Sequence, residues 1–280
     1  MKTVALPSGE QVPAYGQGTW NMGDDRAARA EELATLRLGL DSGATLIDTA
    51  EMYGDGRSEE LVGEAIAGRR DEVFLVTKVL PENAAHNASR KGVPAACERS
   101  LRRLKTDRID LYLLHWRGSI ALAETMAAFA ALHKAGKIRH YGVSNLELSE
   151  MQELWKVPGL QVSANQLLFN LTRRGIEWDL QPWLRERRVP VMAYSPIEQG
   201  KLLRNAKLAG FAKRNAMTPS QAALAWLLSK DGVIVIPKTG RRDRLKENLG
   251  ALERPLSAAQ LAELDGLFPP PAGPQPLEML

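Results

Sequence analysis

Asp48, Tyr53, Lys78 and His115 each stand at, or shortly beyond, the end of a short apolar run, and together they are the side chains a proton-transfer centre needs. The runs cover 45–47 before Asp48, 73–77 before Lys78 and 111–114 before His115, while Tyr53 follows in the loop after Asp48. An unperturbed tyrosine titrates near pH 10, about three units above neutrality, so it holds its proton and releases it reluctantly. A nearby ammonium stabilises the phenolate and lowers that value, and a carboxylate paired with the ammonium keeps it charged and oriented. Lys78 and Asp48 suit those two roles. Tyr53 is then a general acid, and His115 hydrogen-bonds the oxygen of a carbonyl substrate. Taken singly, each has an ordinary explanation: a capped loop, a satisfied hydroxyl, a strand-end charge, a core histidine. Their joint placement at successive strand ends favours chemistry.

The three runs are separated by helically patterned segments, the order of a parallel α/β sheet. At the C-terminal face of a (β/α)₈ barrel, strand-end residues are more often catalytic than structural. The remaining strands read as 15–18, 140–143, 162–165, 191–194 and 233–236, which completes eight. Segments 4–6 and 12–14 around Ser8-Gly9 read as an N-terminal β-hairpin plugging the other end of the barrel. Helices are expected over 25–42, over 59–67 with Ser58 as N-cap, over 94–104 and over 120–135. A C-terminal helix is expected over 257–268, stopped by Pro269-Pro270-Pro271. A long polar connection spans 80–92, and residues 268–280 read as a Pro-rich tail, mobile from Ala272.

The centre has no electron source of its own, so a cofactor must supply the hydride. The strand ending at Pro237 runs into Lys238-Thr239-Gly240-Arg241-Arg242-Asp243-Arg244-Leu245-Lys246-Glu247-Asn248, where a helix begins. Cationic side chains, a hydroxyl and backbone N–H groups at a helix start suit a nucleotide phosphate. Arg and Lys there would distinguish a 2′-phosphate from a bare hydroxyl. A solvated basic turn is the plain alternative.

The chain resembles the aldo-keto reductases, in the manner of the shorter bacterial members. Gly43-Ala44-Thr45-Leu46-Ile47-Asp48-Thr49-Ala50-Glu51-Met52-Tyr53-Gly54 is similar to the family's first signature. Leu113-Leu114-His115-Trp116, Gly142-Val143-Ser144-Asn145 and Ile236-Pro237-Lys238-Thr239 resemble later motifs in the family's order, across about 16–248. The resemblance implies a tetrad of Asp48, Tyr53, Lys78 and His115, with NADPH/NADP+ as the redox cofactor. It implies that Ser144, Asn145 and Gln166 hold the nicotinamide carboxamide over Tyr194, and that Ser195, Pro196 and the following loop approach the pyrophosphate. Lys238, Thr239 and Arg244 would meet the 2′-phosphate, with Arg244 also covering the adenine and Glu247 and Asn248 at its edge. Gly18, Thr19, Trp20, Asp48 and Ile236 complete the implied cofactor contacts. Arg117 replaces the common proline after the His-Trp pair, and Thr239 a more frequent serine. The stretch from Ser195 to Leu208 is too short for a long clamping belt, so fast NADP+ release is expected.

Trp20, Tyr53 and Trp116 should wall an apolar substrate pocket suited to aldehydes and some ketones. Arg117 is expected at its mouth, where it could favour an anionic group. One barrel of 280 residues with 44% hydrophobic composition needs no second domain. Cys97 is the single cysteine, which excludes intramolecular disulfides. No apolar run has signal-peptide or membrane-span length, so a cytoplasmic monomer is expected. A net charge of +4 is dispersed as Arg69-Arg70, Arg102-Arg103 and Arg187-Arg188 without an aromatic platform, which argues against nucleic acid. His86, His115, His133 and His140 have no zinc spacing, so no metal is expected. Gly16-Gln17-Gly18 lacks the third glycine of a dinucleotide fingerprint. The expected activity is reduction of aldehydes and ketones. The alternative is an NADPH-binding redox-sensing or regulatory subunit that turns over slowly; a metal-dependent hydrolase ranks third.

Overall fold

The strands that carry the chemistry are buried on both faces, and their sequences say why. Phe74–Val79 and Ile109–Leu114 are near-continuous apolar runs with no exposed position, the pattern of parallel strands covered by helices. The computed structural model describes residues 2–84 and 92–280. Ten strands and ten α-helices are found there. The strands are β1 (Thr3–Ala5), β2 (Gln11–Pro13), β3 (Gly16–Gly18), β4 (Leu46–Asp48), β5 (Phe74–Val79), β6 (Ile109–Leu114), β7 (Ile138–Ser144), β8 (Val162–Leu168), β9 (Val191–Tyr194) and β10 (Val233–Val235). The helices are α1 (Arg29–Asp41), α2 (Arg57–Ala65), α3 (Val93–Leu104), α4 (Leu122–Lys134), α5 (Leu148–Leu154), α6 (Leu180–Glu186), α7 (Ala206–Arg214), α8 (Pro219–Leu228), α9 (Arg242–Leu249) and α10 (Ala258–Leu267).

β3 to β10 form an eight-stranded parallel sheet in sequence order. Parallel bridges from Tyr15 to Val235 and from Gly18 to Lys238 join its two edges, closing the (β/α)₈ barrel. Gly18 sits on that seam, where an added Cβ would lie 2.8 Å from the Ile236 carbonyl oxygen. Only glycine allows the two strands to approach so closely.

β1 and β2 form the antiparallel hairpin expected at the N-terminus. It is fastened to the barrel by charge: Arg139 donates two 2.8 Å bonds to Glu10, and His140 lies 2.7 Å from the same carboxylate. Asp110, at the start of β6, accepts from Arg70, Arg139 and the Leu75 backbone N–H at 2.7 to 2.8 Å while remaining 1% exposed. The charge matters most for Arg70, whose side chain is 15% exposed and would lose its buried anion, while Arg139 is 43% exposed. Asp110→Asn should destabilise the fold by about 3 kcal/mol while kcat at permissive temperature stays unchanged. Denaturant unfolding beside a steady-state assay checks this, and a loss of kcat with full stability would refute a purely structural role.

Several boundaries differ from the sequence reading. α1 starts at Arg29 rather than Asp25, and α2 at Arg57 with Gly56 as N-cap. Ser58 is not a cap. It is buried inside the first turn, and its hydroxyl donates to the Thr19 backbone carbonyl or hydroxyl at 3.1 and 2.8 Å. The connection expected over 80–92 falls partly outside the described residues, as does His86. The tail expected to be mobile is packed against the barrel: Glu278 pairs with Arg173, and Gln275 lies against Gly175.

Candidate active site

Tyr53 owes its position to the turn that follows it. Gly54, Asp55 and Gly56 all have positive φ (57°, 53° and 91°), so the chain reverses within three residues before α2. Glycine adopts that backbone freely, and aspartate is among the few other residues that tolerate it. The turn is held from below by a buried hydroxyl cluster in which Thr49 bonds Ser58 at 3.1 Å and Thr19 donates to the Asp48 carbonyl at 2.9 Å. Loop and strand end are thereby locked together.

Lys78 projects from β5 beneath the phenol and is fully buried. Its ammonium has three protons to donate, and all are used: to Asp48 Oδ2 at 2.9 Å, the Thr49 carbonyl at 2.8 Å and Tyr53 Oη at 3.1 Å. Because Lys78 donates to the phenolic oxygen, the phenolic proton must point elsewhere. Asp48 is held on its other oxygen by Gln166 Nε2 at 2.8 Å. Burial works against the Lys78 charge, but Asp48 and then Tyr53 outweigh it and raise its pKa, so it stays an ammonium. Burial is also the largest influence on Tyr53 and raises its pKa; Lys78 pulls the other way without reversing the direction. Lys78 was expected to lower the phenol outright. In the structure the phenol keeps its proton, which suits a donor better than a base.

His115 follows β6, with its ring 5.8 Å from Tyr53 in an edge arrangement and 4.7 Å from Trp116. Burial, followed by the neighbouring Lys78 charge, drops its pKa to about 2. It is therefore a neutral hydrogen-bonding group, not an acid. Nδ1 is buried without a partner among the described residues. An orphaned N–H costs more than an orphaned lone pair, so the proton belongs on Nε2, which can donate to a substrate oxygen. The depressed value has a stability consequence. The unfolded chain takes up a proton near pH 6.5 that the native site refuses, so stability falls as pH drops below that value. His115→Asn should flatten the loss by about 2 kcal/mol at about pH 5. Denaturant midpoints across acid pH test it; parallel curves for the two proteins would contradict the buried neutral imidazole.

A cleft of about 1130 Å³ opens over this centre. It is lined by Gly18, Thr19, Trp20, Asp48, Tyr53, His115, Trp116, Ser144, Asn145, Gln166, Tyr194, Ser195, Pro196, Ile236, Lys238, Thr239, Arg244, Glu247 and Asn248, all singled out in the sequence. Lys78 lies below its floor. Arg117 does not line it. Its guanidinium faces α5, bonding Glu153 at 2.7 and 3.2 Å with Glu150 at 3.7 Å, which corrects its expected place at the mouth. Some implied contacts are already partnered. Asn145 donates to the His115 carbonyl and Ser144 Oγ, each at 3.1 Å, and accepts from the Tyr194 hydroxyl at 3.0 Å. Ser144 donates to the Gln166 carbonyl at 3.0 Å.

Beyond β9 the chain is strained: Ser195, Glu198 and Gln199 have φ of 47°, 49° and 51°. Such backbone persists in non-glycine residues only where surrounding contacts hold it. Asn170 holds it here, donating to the Ser195 carbonyl and the Glu198 carboxylate at 2.9 and 2.8 Å. At the far end of the cleft, two arginines are already neutralised. Arg241 pairs with Asp243, and Arg242 with Glu31 at 2.9 Å. Lys238 and Arg244 have no carboxylate at ion-pair distance among the described residues and remain available to an anion.

Sequence reading missed Glu32, Gln199, Lys201, Arg204, Ser220, Met279 and Leu280, which also border the cleft. The cations Lys201 and Arg204 follow a strand end and could have been suspected. Glu32 sits in the first turn of α1, where an acidic residue reads as an ordinary helix-start charge.

A closed parallel barrel with a phenol over a buried ammonium–carboxylate pair, beside a long cleft with cations at one end, defines an oxidoreductase acting on carbonyl groups. The aldo/keto reductase family model matches residues 15–268. The chain is 48% identical to methylglyoxal reductase YeaE of Escherichia coli (strain K12), covering 100% of this chain and 99% of that one. It is 33% identical to glyoxal reductase of Bacillus subtilis (strain 168), over 99% and 97% of the two chains. A crystal structure of an aldo/keto reductase from Klebsiella pneumoniae in complex with NADP and acetate superposes with a TM-score of 0.95 at 46% identity, covering 100% and 99%. The chain belongs to the aldo/keto reductase family.

Proposed function

We propose that this protein reduces small, uncharged aldehydes and dicarbonyls to alcohols with NADPH. The observation that carries the reading is the Asp48–Lys78–Tyr53 chain of contacts at the floor of the cleft. NADPH, when bound, supplies the hydride. The donor set fits it: hydroxyl and amide groups near Tyr53, the Tyr194 ring beside them, and the unpaired Lys238 and Arg244 at the far end. The cleft also exceeds the roughly 300–1,000 Å³ of an ordinary small-ligand pocket, leaving room for a dinucleotide and a substrate together.

Tyr53 donates the proton to the carbonyl oxygen. His115 Nε2–H orients that oxygen, and Lys78 stabilises the phenolate left behind. Ser144, Asn145 and Gln166 would hold the carboxamide, Asn145 through the lone pair its oxygen has left after accepting from Tyr194. Ser195 and Pro196 would hold the pyrophosphate. Lys238, Thr239 and Arg244 would bind the 2′-phosphate, with Glu247 and Asn248 placed to meet the adenine. Trp20, Trp116 and Met52 wall the substrate side, and Arg117 is engaged with Glu153 rather than turned to that side. Two relatives named for methylglyoxal and glyoxal reduction support small dicarbonyls as the substrate class.

Residues 1–280 read as one barrel domain. No helix among the described residues is long and apolar enough to cross a membrane. The single cysteine is buried, with burial pushing its thiol up to about 12.

The test is NADPH and NADH oxidation over aldehydes, dicarbonyls and keto acids, in the unaltered chain and in Arg244→Ala. The loss of one charge-assisted phosphate contact should raise the KM for NADPH about ten-fold and that for NADH much less, since only NADPH carries the 2′-phosphate. Equal effects on both cofactors would remove Arg244 from 2′-phosphate recognition, and no turnover with any carbonyl would overturn the function.

A further inference from the structure

Two segments that border the cleft hang from one short turn after β8. In that turn Asn170 and Arg173 exchange backbone hydrogen bonds at 3.0 and 3.3 Å. The Asn170 carboxamide is used completely, accepting from Thr172 and donating to the 195–200 loop. Arg173 grips that loop through Glu198, with Nε at 3.0 Å and Nη2 at 2.8 Å from one carboxylate oxygen. Its remaining nitrogen, Nη1, is bonded to Glu278. Glu278 belongs to the segment 275–280, whose Met279 and Leu280 border the cleft, and the Leu280 backbone reaches the Tyr194 hydroxyl. Neither Glu198 nor Arg173 nor Glu278 lines the cleft itself.

We propose that Arg173 is a positioning residue that fastens the 275–280 strap to the strained 195–200 loop, so that NADPH and the carbonyl substrate each bind more tightly when the other is present. The inference rests on the proposed placing of the pyrophosphate against the 195–200 loop. A loop with three left-handed non-glycine residues has a poorly tolerated shape that occupancy of the cleft would stabilise. The guanidinium transmits that shape to Glu278, and the strap settles over the substrate end. Coupling of this kind is reciprocal.

Glu278→Gln tests it, because the change is on a partly exposed side chain and leaves the Arg173–Glu198 pair intact. NADPH fluorescence titration should show about three-fold weaker binding, with the KM for methylglyoxal raised by a similar factor, the scale of a partly exposed ion pair. Hydrogen exchange of the 275–280 amides should slow when NADPH is added to the unaltered chain and not in Glu278→Gln. Arg173→Lys, which keeps the charge but cannot bridge both carboxylates with a fork, should behave as Glu278→Gln does. A raised KM for methylglyoxal with NADPH affinity and strap exchange unchanged would make the strap a wall only and overturn the coupling. Failure of NADPH to bind the unaltered chain would instead overturn the reading of the cleft, and the coupling with it.

Discussion

Tyr53→Phe should abolish carbonyl reduction, lowering kcat by about 10³-fold or more, while NADPH affinity stays within about three-fold of the unaltered protein. The substitution removes one oxygen and leaves the ring, so the edge contact with His115 and the turn at Gly54 to Gly56 survive. What disappears is the only proton donor that Lys78 touches directly. The same geometry fixes the pH dependence. Reduction needs the protonated phenol, and burial raises its pKa above the ordinary value. The rate should therefore hold through neutrality and fall only as pH rises beyond the usual tyrosine range of about 10. His115, neutral down to about pH 2, should add no acid limb near neutrality. Steady-state pH profiles beside fluorescence titration of NADPH decide the matter. An inflection near about pH 6.5 that vanishes in His115→Asn would mean that histidine supplies the proton.

Lys78→Met should damage both stability and rate. The ammonium is 0% exposed and neutralises a carboxylate that is 3% exposed. Removing it leaves Asp48 charged, dry and held only by Gln166. Breaking a buried pair from one side costs about 3–5 kcal/mol. The rate should fall by at least about 10²-fold, because the phenolate formed on proton transfer loses its nearest positive charge. Adding Asp48→Asn to Lys78→Met should restore most of the stability and none of the rate. Denaturant unfolding of the two single variants and the double variant forms the cycle that separates these effects. A stable, active Lys78→Met protein would show that the phenol needs no ammonium and that the tetrad is an accident of strand ends.

How much of this was legible in the chain follows from how local each signal is. β9 was read with its observed bounds and the other barrel strands to within a few residues, because strands covered on both faces must be apolar throughout and stop where polarity begins. The same rule marked Asp48, Lys78 and His115, since a polar residue at the end of such a run is conspicuous. α5 to α8 were not placed: α8 is apolar nearly all round and shows no helical stripe. Ser58 was misread because a serine before acidic residues is the usual N-cap, yet here the Gly56 turn starts the helix and frees its hydroxyl to tie Thr19 to Thr49.

By itself the sequence determined the barrel, the four side chains of the proton-transfer centre and the cationic end of the cleft, because each is encoded by polarity and spacing within a few residues. Only the tertiary structure decided that Lys78 donates to three partners at once, that burial keeps the Tyr53 proton in place and His115 neutral, and that Arg117 turns to Glu153. It also brought Glu278 to Arg173, 105 residues away in the chain. These outcomes depend on distance and on exclusion of water, which arise when separate segments meet and which no single stretch of sequence contains.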